Sequence, residues 1–164
     1  MAIECFLKLE GPEVKGESAI KGFEGQFEIT GWSWGASQSG SMQTGSGGGT
    51  GKANVQDIEL NKWVDKGTPN LWQFCINGTQ FEKATLTCRK AGGEEPVAYL
   101  KIEMEDVILS SISTRAGSSD DRFSEHFSLN FGQYKMTYTP QKDDGTADSD
   151  VGPSGWNMRQ NAKV

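Results

Sequence analysis

The chain has 164 residues, of which 35% are hydrophobic and 23% charged, with a formal net charge of −6 and a pI near 4.8. That length suits a single domain with a core of its own, and the composition is that of a globular chain rather than a disordered one. The acidic balance argues against a DNA, RNA or anionic-membrane partner, because each of these needs a cationic face. No window of about 18 apolar residues is present, so no helical membrane span is expected.

The first eight residues, Met1-Ala2-Ile3-Glu4-Cys5-Phe6-Leu7-Lys8, lack the basic and long apolar regions of a Sec-type signal peptide. A protein with this start that leaves the cell is expected to use another exit. Within the same stretch Ile3, Cys5, Leu7 and Leu9 share one face and Glu4, Lys8 and Glu10 the other. This period of two predicts a half-buried strand. Phe23, Phe27 and Ile29 alternate with Glu24, Gln26, Glu28 and Thr30, and then Trp32 and Trp34 fall on the opposite parity. Either Gly31 resets the phase as a bulge or the strand is covered on both sides.

The stretch 38–52 is rich in Ser and Gly and reads as a long flexible loop. A loop of this length in a compact domain is usually functional or disordered. A strand follows, with Ile58, Leu60 and Val64 on one side. One short helix is expected next: Thr68 as its cap, Pro69 in its first turn, and Gly78 at its exit after Asn77. Leu71, Trp72, Phe74 and Cys75 give this helix an apolar side.

More strands complete the run. Ala84, Leu86 and Cys88 share a face, as do Ala98, Leu100, Ile102 and Met104, and Val107 to Ile112 continues the pattern less clearly. Phe127, Leu129 and Phe131 alternate with His126, Ser128 and Asn130. Tyr134, Met136 and Tyr138 precede Pro140, and the segment from Gln141 to Ser154 is polar. Many strands and one helix predict a mainly β, antiparallel fold over 1–164 as one domain. Closure into a barrel removes exposed edges and is the expected architecture. Cys5, Cys75 and Cys88 are odd in number and far apart in sequence, and read as buried thiols of a reducing compartment.

Some motifs look chemical. Gly31-Trp32-Ser33-Trp34-Gly35 matches G-x-S-x-G, the nucleophile elbow, with His126 as the one histidine of the chain. That chemistry needs Ser33 on a strand-to-helix turn, and Ala36-Ser37-Gln38-Ser39-Gly40-Ser41 does not open a helix. Gly45 to Lys52 resembles a phosphate-binding loop, but Ser46 and Ala53 stand where the pattern needs Gly and Ser or Thr. A lone His with no suitably spaced Cys does not make a metal site, and Asp143, Asp144, Asp148 and Asp150 lack the spacing of a calcium loop. Neither a cofactor nor a metal is expected. The residues favour a binding or structural protein over an enzyme.

Several ordered segments carry a resemblance. They include Val14-Lys15-Gly16-Glu17-Ser18, Trp32-Ser33-Trp34-Gly35-Ala36-Ser37-Gln38 and Asp65-Lys66-Gly67-Thr68-Pro69-Asn70-Leu71. Further on stand Ala84-Thr85-Leu86-Thr87-Cys88-Arg89-Lys90-Ala91-Gly92-Gly93, Tyr99-Leu100, Ser110-Ser111-Ile112-Ser113 and Leu129-Asn130-Phe131. Tyr138-Thr139-Pro140-Gln141 and Gly155-Trp156-Asn157 complete the set. In this order, over nearly the whole chain, they resemble the hemolysin-coregulated protein (Hcp) family, the tube protein of type VI secretion systems. Two departures stand out: Gly22 and Phe23 where the family often has a His, and a helix made aromatic by Trp72 and Phe74.

The resemblance implies a β-barrel with one helix that assembles into a homohexameric ring. Rings stack into an inner tube, which a contracting sheath drives out behind a VgrG spike. The protein is thus expected in the cytoplasm before firing and then secreted, with effector proteins held in its lumen. The resemblance places Ser33 on the lumen wall in contact with cargo. It places Gly92 and Arg159 at opposite ring faces, and the loop carrying Gly45, Gly47, Gly48 and Gly49 is expected to order against the next ring. A domain of this length has a diameter of roughly 40 Å, so six in a ring leave a lumen of roughly 40 Å. Three alternatives stay open: a phage tail tube or other contractile injection device, a serine hydrolase using Ser33, and a monomeric β-sandwich binding module.

Overall fold

The computed structural model describes residues 3–43, 45, 49, 51–90, 94–119 and 121–164. Four long strands form the spine. In β1 (Ile3–Glu10), Cys5, Leu7 and Leu9 are buried, as the period of two demands. It pairs antiparallel with β7 (Gln80–Lys90), β7 with β8 (Ala98–Arg115), and β8 with β9 (Ser124–Tyr138).

The other edges are filled piecewise. β2 (Phe27–Ile29) lies on the free edge of β1. The free edge of β9 is shared: its first half pairs with β6 (Ile58–Trp63) and its second half with β10 (Val151–Asn157), which carries the short β11 (Ala162–Lys163). Thr30 ends β2, and β3 (Gly31–Ser33) then pairs with β6 rather than β1. The reversal of parity at Trp32 is thus a change of partner strand rather than a bulge at Gly31. The hydrogen-bonded ladder does not close into a barrel. Its margins meet instead through the Thr30 N–H, which donates to the Asn61 carbonyl at 2.8 Å. The mainly β, antiparallel expectation stands, and full closure is corrected to a curled sheet whose two ends are joined at one residue.

β8 and β9 are long enough to need a correction of phase. In β8, Ile102 and Met104 are buried, and then Val107 and Leu109. In β9, Phe127, Leu129 and Phe131 are buried, while Tyr134 and Met136 pack on the core further along. Both strands change parity at one rung, between Glu105↔Gln133 and Val107↔Phe131. Asp106 has a positive φ of 54° there, and it faces Gly132. A Cβ on Gly132 would sit 3.3 Å from Asp106 Cβ. Glycine therefore admits the irregular Asp106 backbone, and the paired shift keeps one apolar face inward along the whole ribbon. A second irregularity at Ser110 resets β8 again, bringing Ile112 opposite Phe127.

The core between the curled walls contains Leu7, Phe27, Leu60, Leu71, Phe81, Leu86, Ile102 and Phe127, each fully buried. Each contributes about 1.5–3 kcal/mol by leaving water. Val64 is not among them, because β6 ends at Trp63; the inward position after Ile58 and Leu60 is held by Lys62.

The one helix among the described residues, α1 (Thr68–Asn77), has Pro69 in its first turn, and the left-handed Gly78 (φ 70°) ends it. Its cap is corrected: Gly67 holds the N-cap position with no side-chain cap bond, and Thr68 is the first helical residue. The Thr68 hydroxyl is committed to a buried network instead, described below. Leu71 alone of the apolar side chains of α1 is fully buried. Phe74 and Cys75 pack partly on the core, and Trp72 lies at the surface with its indole N–H donating to Thr114 Oγ1 at 2.9 Å.

The polar segment near the C-terminus also holds a strand the periodicity did not predict. In β10 the sequence Val-Gly-Pro-Ser-Gly-Trp-Asn carries no alternation, yet it pairs with β9 from Val151 to Asn157.

Candidate functional site

The face of the sheet turned away from the core is built from short polar side chains. On β6, the alternation that buries Ile58 and Leu60 turns Glu59 and Asn61 outward. On β9 the same alternation turns out His126 and Asn130. Ser33 at the end of β3 stands opposite Glu59 and donates its hydroxyl to Glu59 Oε2 at 3.3 Å. Asp57, just before β6, accepts from Ser110 Oγ at 2.6 Å and from Asn130 Nδ2 at 2.7 Å. Ser128 Oγ lies 2.7 Å from Ser110 Oγ and 2.5 Å from Ser111 Oγ. His126 Nδ1 and Asn61 Oδ1 are 2.8 Å apart. The wall is therefore self-satisfied: its polar groups bond one another and hold each other in place.

Behind this wall the two tryptophans brace β3. Trp34 packs edge-on against Phe131 and Tyr134, with centroids 5.8 and 5.0 Å away, and its indole N–H donates to the Gln56 carbonyl at 2.8 Å. Ser33 lies between Trp32 and Trp34 and points the other way, exposed. No strand-to-helix turn follows it, since β4 (Ala36–Ser37) comes next. Its hydroxyl is committed to Glu59 and the imidazole of His126 to Asn61, so the elbow geometry of a serine hydrolase is not formed. Likewise Lys52 leads into the short β5 (Asn54–Val55), not into a helix as a phosphate-binding loop requires.

The other residues singled out in the sequence lie apart from this wall. Arg159 sits in the turn after β10, exposed, with its guanidinium 3.5 Å from Asp106 Oδ2. Gly45 and Gly49 are exposed in the loop between β4 and β5. That loop bonds to itself: Ser41 Oγ donates to the Gly49 carbonyl at 2.8 Å, and the Gly49 N–H lies 2.8 Å from Ser41 Oγ. Gly47, Gly48 and Gly92 lie outside the described residues. Among the described residues no group of three or more His, Cys, Asp or Glu side chains is placed to hold a metal ion, and no helix is long and apolar enough to cross a membrane.

Two buried polar features went unread in the sequence. Lys62, with its side chain fully buried, pairs with the equally buried Glu125 and with Asp65 at 3.1 Å. Thr68 Oγ1 donates to Glu125 at 3.0 Å and accepts from Lys62 Nζ at 3.2 Å. Thr114 Oγ1 completes the set, 3.3 Å from Glu125 Oε1. This network pins the start of α1 to β6 and β9. Its signal was present, because Lys62 keeps phase with Ile58 and Leu60, and Glu125 with Phe127 and Leu129. The second feature is the meeting of Cys5 and Cys88 across β1 and β7.

Comparison with known proteins identifies the fold. The family model described as "Type VI secretion system effector, Hcp" matches residues 6–138. The Pseudomonas aeruginosa protein hcp1 is 47% identical over 164 residues, all of both chains. The chain belongs to the Hcp family. Among solved structures, that of a type six secretion system protein superposes with a TM-score of 0.92 at 28% identity, over 99% of this chain and 100% of the other. Hcp1 from Salmonella typhimurium gives 0.78 at 29% identity, over the whole of both. The Hcp proteins are the secreted structural tube proteins of type VI secretion, which is the resemblance stated from the sequence. The phage-tube, hydrolase and β-sandwich alternatives are not favoured.

Proposed function

We propose that this Hcp chain closes into homohexameric rings that stack into the inner tube of a type VI secretion system, with the polar face of β3, β6 and β9 as the lumen wall. The observation that carries this reading is the wall itself: Ser33, Asn61, His126 and Asn130 are polar and bonded to one another or to the Glu59 and Asp57 carboxylates. Such a surface presents polar groups already held by one another, which a protein can pass without displacing them. The protein works by assembly and passage, without catalysis, cofactor or nucleic acid. Its partners are its own copies, the VgrG spike, the sheath and effector proteins in the lumen. It is cytoplasmic until fired.

Exposed apolar side chains on α1, Trp72 and Ile76, support a head-to-tail contact, which joins two different surfaces of each subunit. Native mass spectrometry is expected to give a particle of about six times the chain mass of 17.9 kDa. A 17.9 kDa particle at every concentration overturns the reading.

Stacking is assigned to the loop around Gly45, Gly47, Gly48 and Gly49 and to Gly92 and Arg159. Deletion of residues 45–51 is expected to leave rings intact and abolish tubes in negative-stain microscopy. Tubes that persist refute the assignment. Cargo contact is assigned to Ser33. Ser33→Gln is expected to keep the ring mass and reduce co-purified effector by about tenfold, on the scale of losing 1.4 kcal/mol of binding. Equal recovery of effector removes Ser33 from that role.

A further inference from the structure

Cys5 and Cys88 are 83 positions apart in sequence, yet they occupy the same rung of the β1–β7 ladder. Both thiols are free, and their sulfurs share a hydrogen bond of 2.6 Å. Directly opposed residues of an antiparallel pair have Cα atoms about 4.5–5.5 Å apart, inside the range of about 4.4–6.8 Å that a disulfide spans. That spacing is compatible with closing the bond by side-chain rotation.

We propose that Cys5 and Cys88 form an oxidation site, free dithiol before export and cross-strand disulfide after it, with a low-molecular-weight disulfide such as oxidised glutathione as the oxidant. The inference rests on the secretion of Hcp proteins, since export moves the pair from a reducing to an oxidising medium.

The pair is asymmetric in access and in acidity. Cys5 lines an open groove of about 360 Å³ together with Phe6, Ile29 and Trp63. Cys88 does not line that groove, and it is 1% exposed where Cys5 is 7%. The hydrogen bond with Cys88 holds the Cys5 thiol below its ordinary range, against the effect of burial, and the Trp32 indole adds to the lowering. The same bond, helped by burial, pushes the Cys88 thiol well up. Cys5, at the groove, is thus the thiol that meets the oxidant and Cys88 the resolving thiol.

In the first step the Cys5 thiolate attacks one sulfur of oxidised glutathione. A mixed disulfide forms on Cys5, and one glutathione thiolate leaves. In the second, the Cys88 sulfur attacks Cys5 Sγ, the second glutathione leaves, and it takes up the proton that Cys88 loses. Two protein thiols are oxidised, and the oxidant is reduced to two thiols. Cys75, on α1 and outside this pair, takes no part in the cross-link.

The test is thiol counting on the purified protein after exposure to oxidised glutathione, followed by unfolding and alkylation. The expected product carries one alkyl group, on Cys75, has a cross-linked Cys5–Cys88 peptide, and is lighter by two hydrogens, about 2 Da. Cys88→Ala is expected to stop at the first step and keep a glutathione adduct on Cys5. Three alkylated thiols in the wild type, or a lasting glutathione adduct on wild-type Cys5, overturn the proposal. Protein recovered from culture medium separates the two premises. If it is present with three free thiols, the oxidation site is refuted; if it is absent from the medium, export itself fails.

Discussion

Glu125→Ala is expected to destabilise the fold by about 3–5 kcal/mol, because it leaves the Lys62 ammonium buried with its main counter-charge removed. Lys62 has no route to water: its side chain is fully covered, and its Nζ lies 5.2 Å from the centre of the Phe27 ring. Asp65 remains as a partner at 3.1 Å, and it is also held by the Gly67 N–H. The loss also frees the Thr68 hydroxyl, so the start of α1 loosens from β9. A Lys62→Met, Glu125→Leu double variant is expected to recover most of the loss, since an apolar pair of similar volume avoids the cost of burying charge. Denaturant unfolding followed by tryptophan fluorescence at fixed protomer concentration reads both variants. Equal instability in the single and double variants contradicts the account.

Phe127→Ala is expected to cost a similar amount, about 3–5 kcal/mol, for a different reason. Phe127 is fully buried where β9 is flanked on both sides, opposite Leu60 of β6 and Ile112 of β8. The residual void sits where three strands meet, and rigid ladders on either side prevent the walls from collapsing into it. Phe127→Leu, which keeps most of the volume, is expected to cost about 1 kcal/mol. The comparison is made by thermal unfolding, and a Leu variant as unstable as the Ala variant rules out the cavity explanation.

The long strands were legible because burial on one face writes a period of two, as in Cys5, Leu7 and Leu9, though Ile3 at the start of that run is exposed, and as in Phe127–Phe131. The helix was legible through Pro69 and Gly78. What could not be read has physical causes. A residue such as Thr68 can cap a helix or bond elsewhere, and the choice depends on Glu125, 57 residues away. Lys62 shares the face of Ile58 and Leu60, but a lone charge rarely goes inside; the partners that permit it come from β9 and the turn before α1. β10 is held by its neighbour β9 rather than by its own pattern, since two glycines and a proline leave it little alternation. The polar wall was reached through the family resemblance at Ser33, whereas its bonding pattern depends on the register of β3, β6 and β9. The Cys5–Cys88 encounter likewise depends on how β1 and β7 align.

The meeting of β2 and β3 at Thr30 has a mechanical consequence. One short run of chain is stitched to β1 by its first three residues and to β6 by its last three, with a single amino acid between the two seams. Pulling the sheet open at either margin loads both seams together, so the wall cannot unroll one ladder at a time. A subunit built in this way should yield abruptly under load rather than stretch, which suits a part that must keep its bore while being pushed.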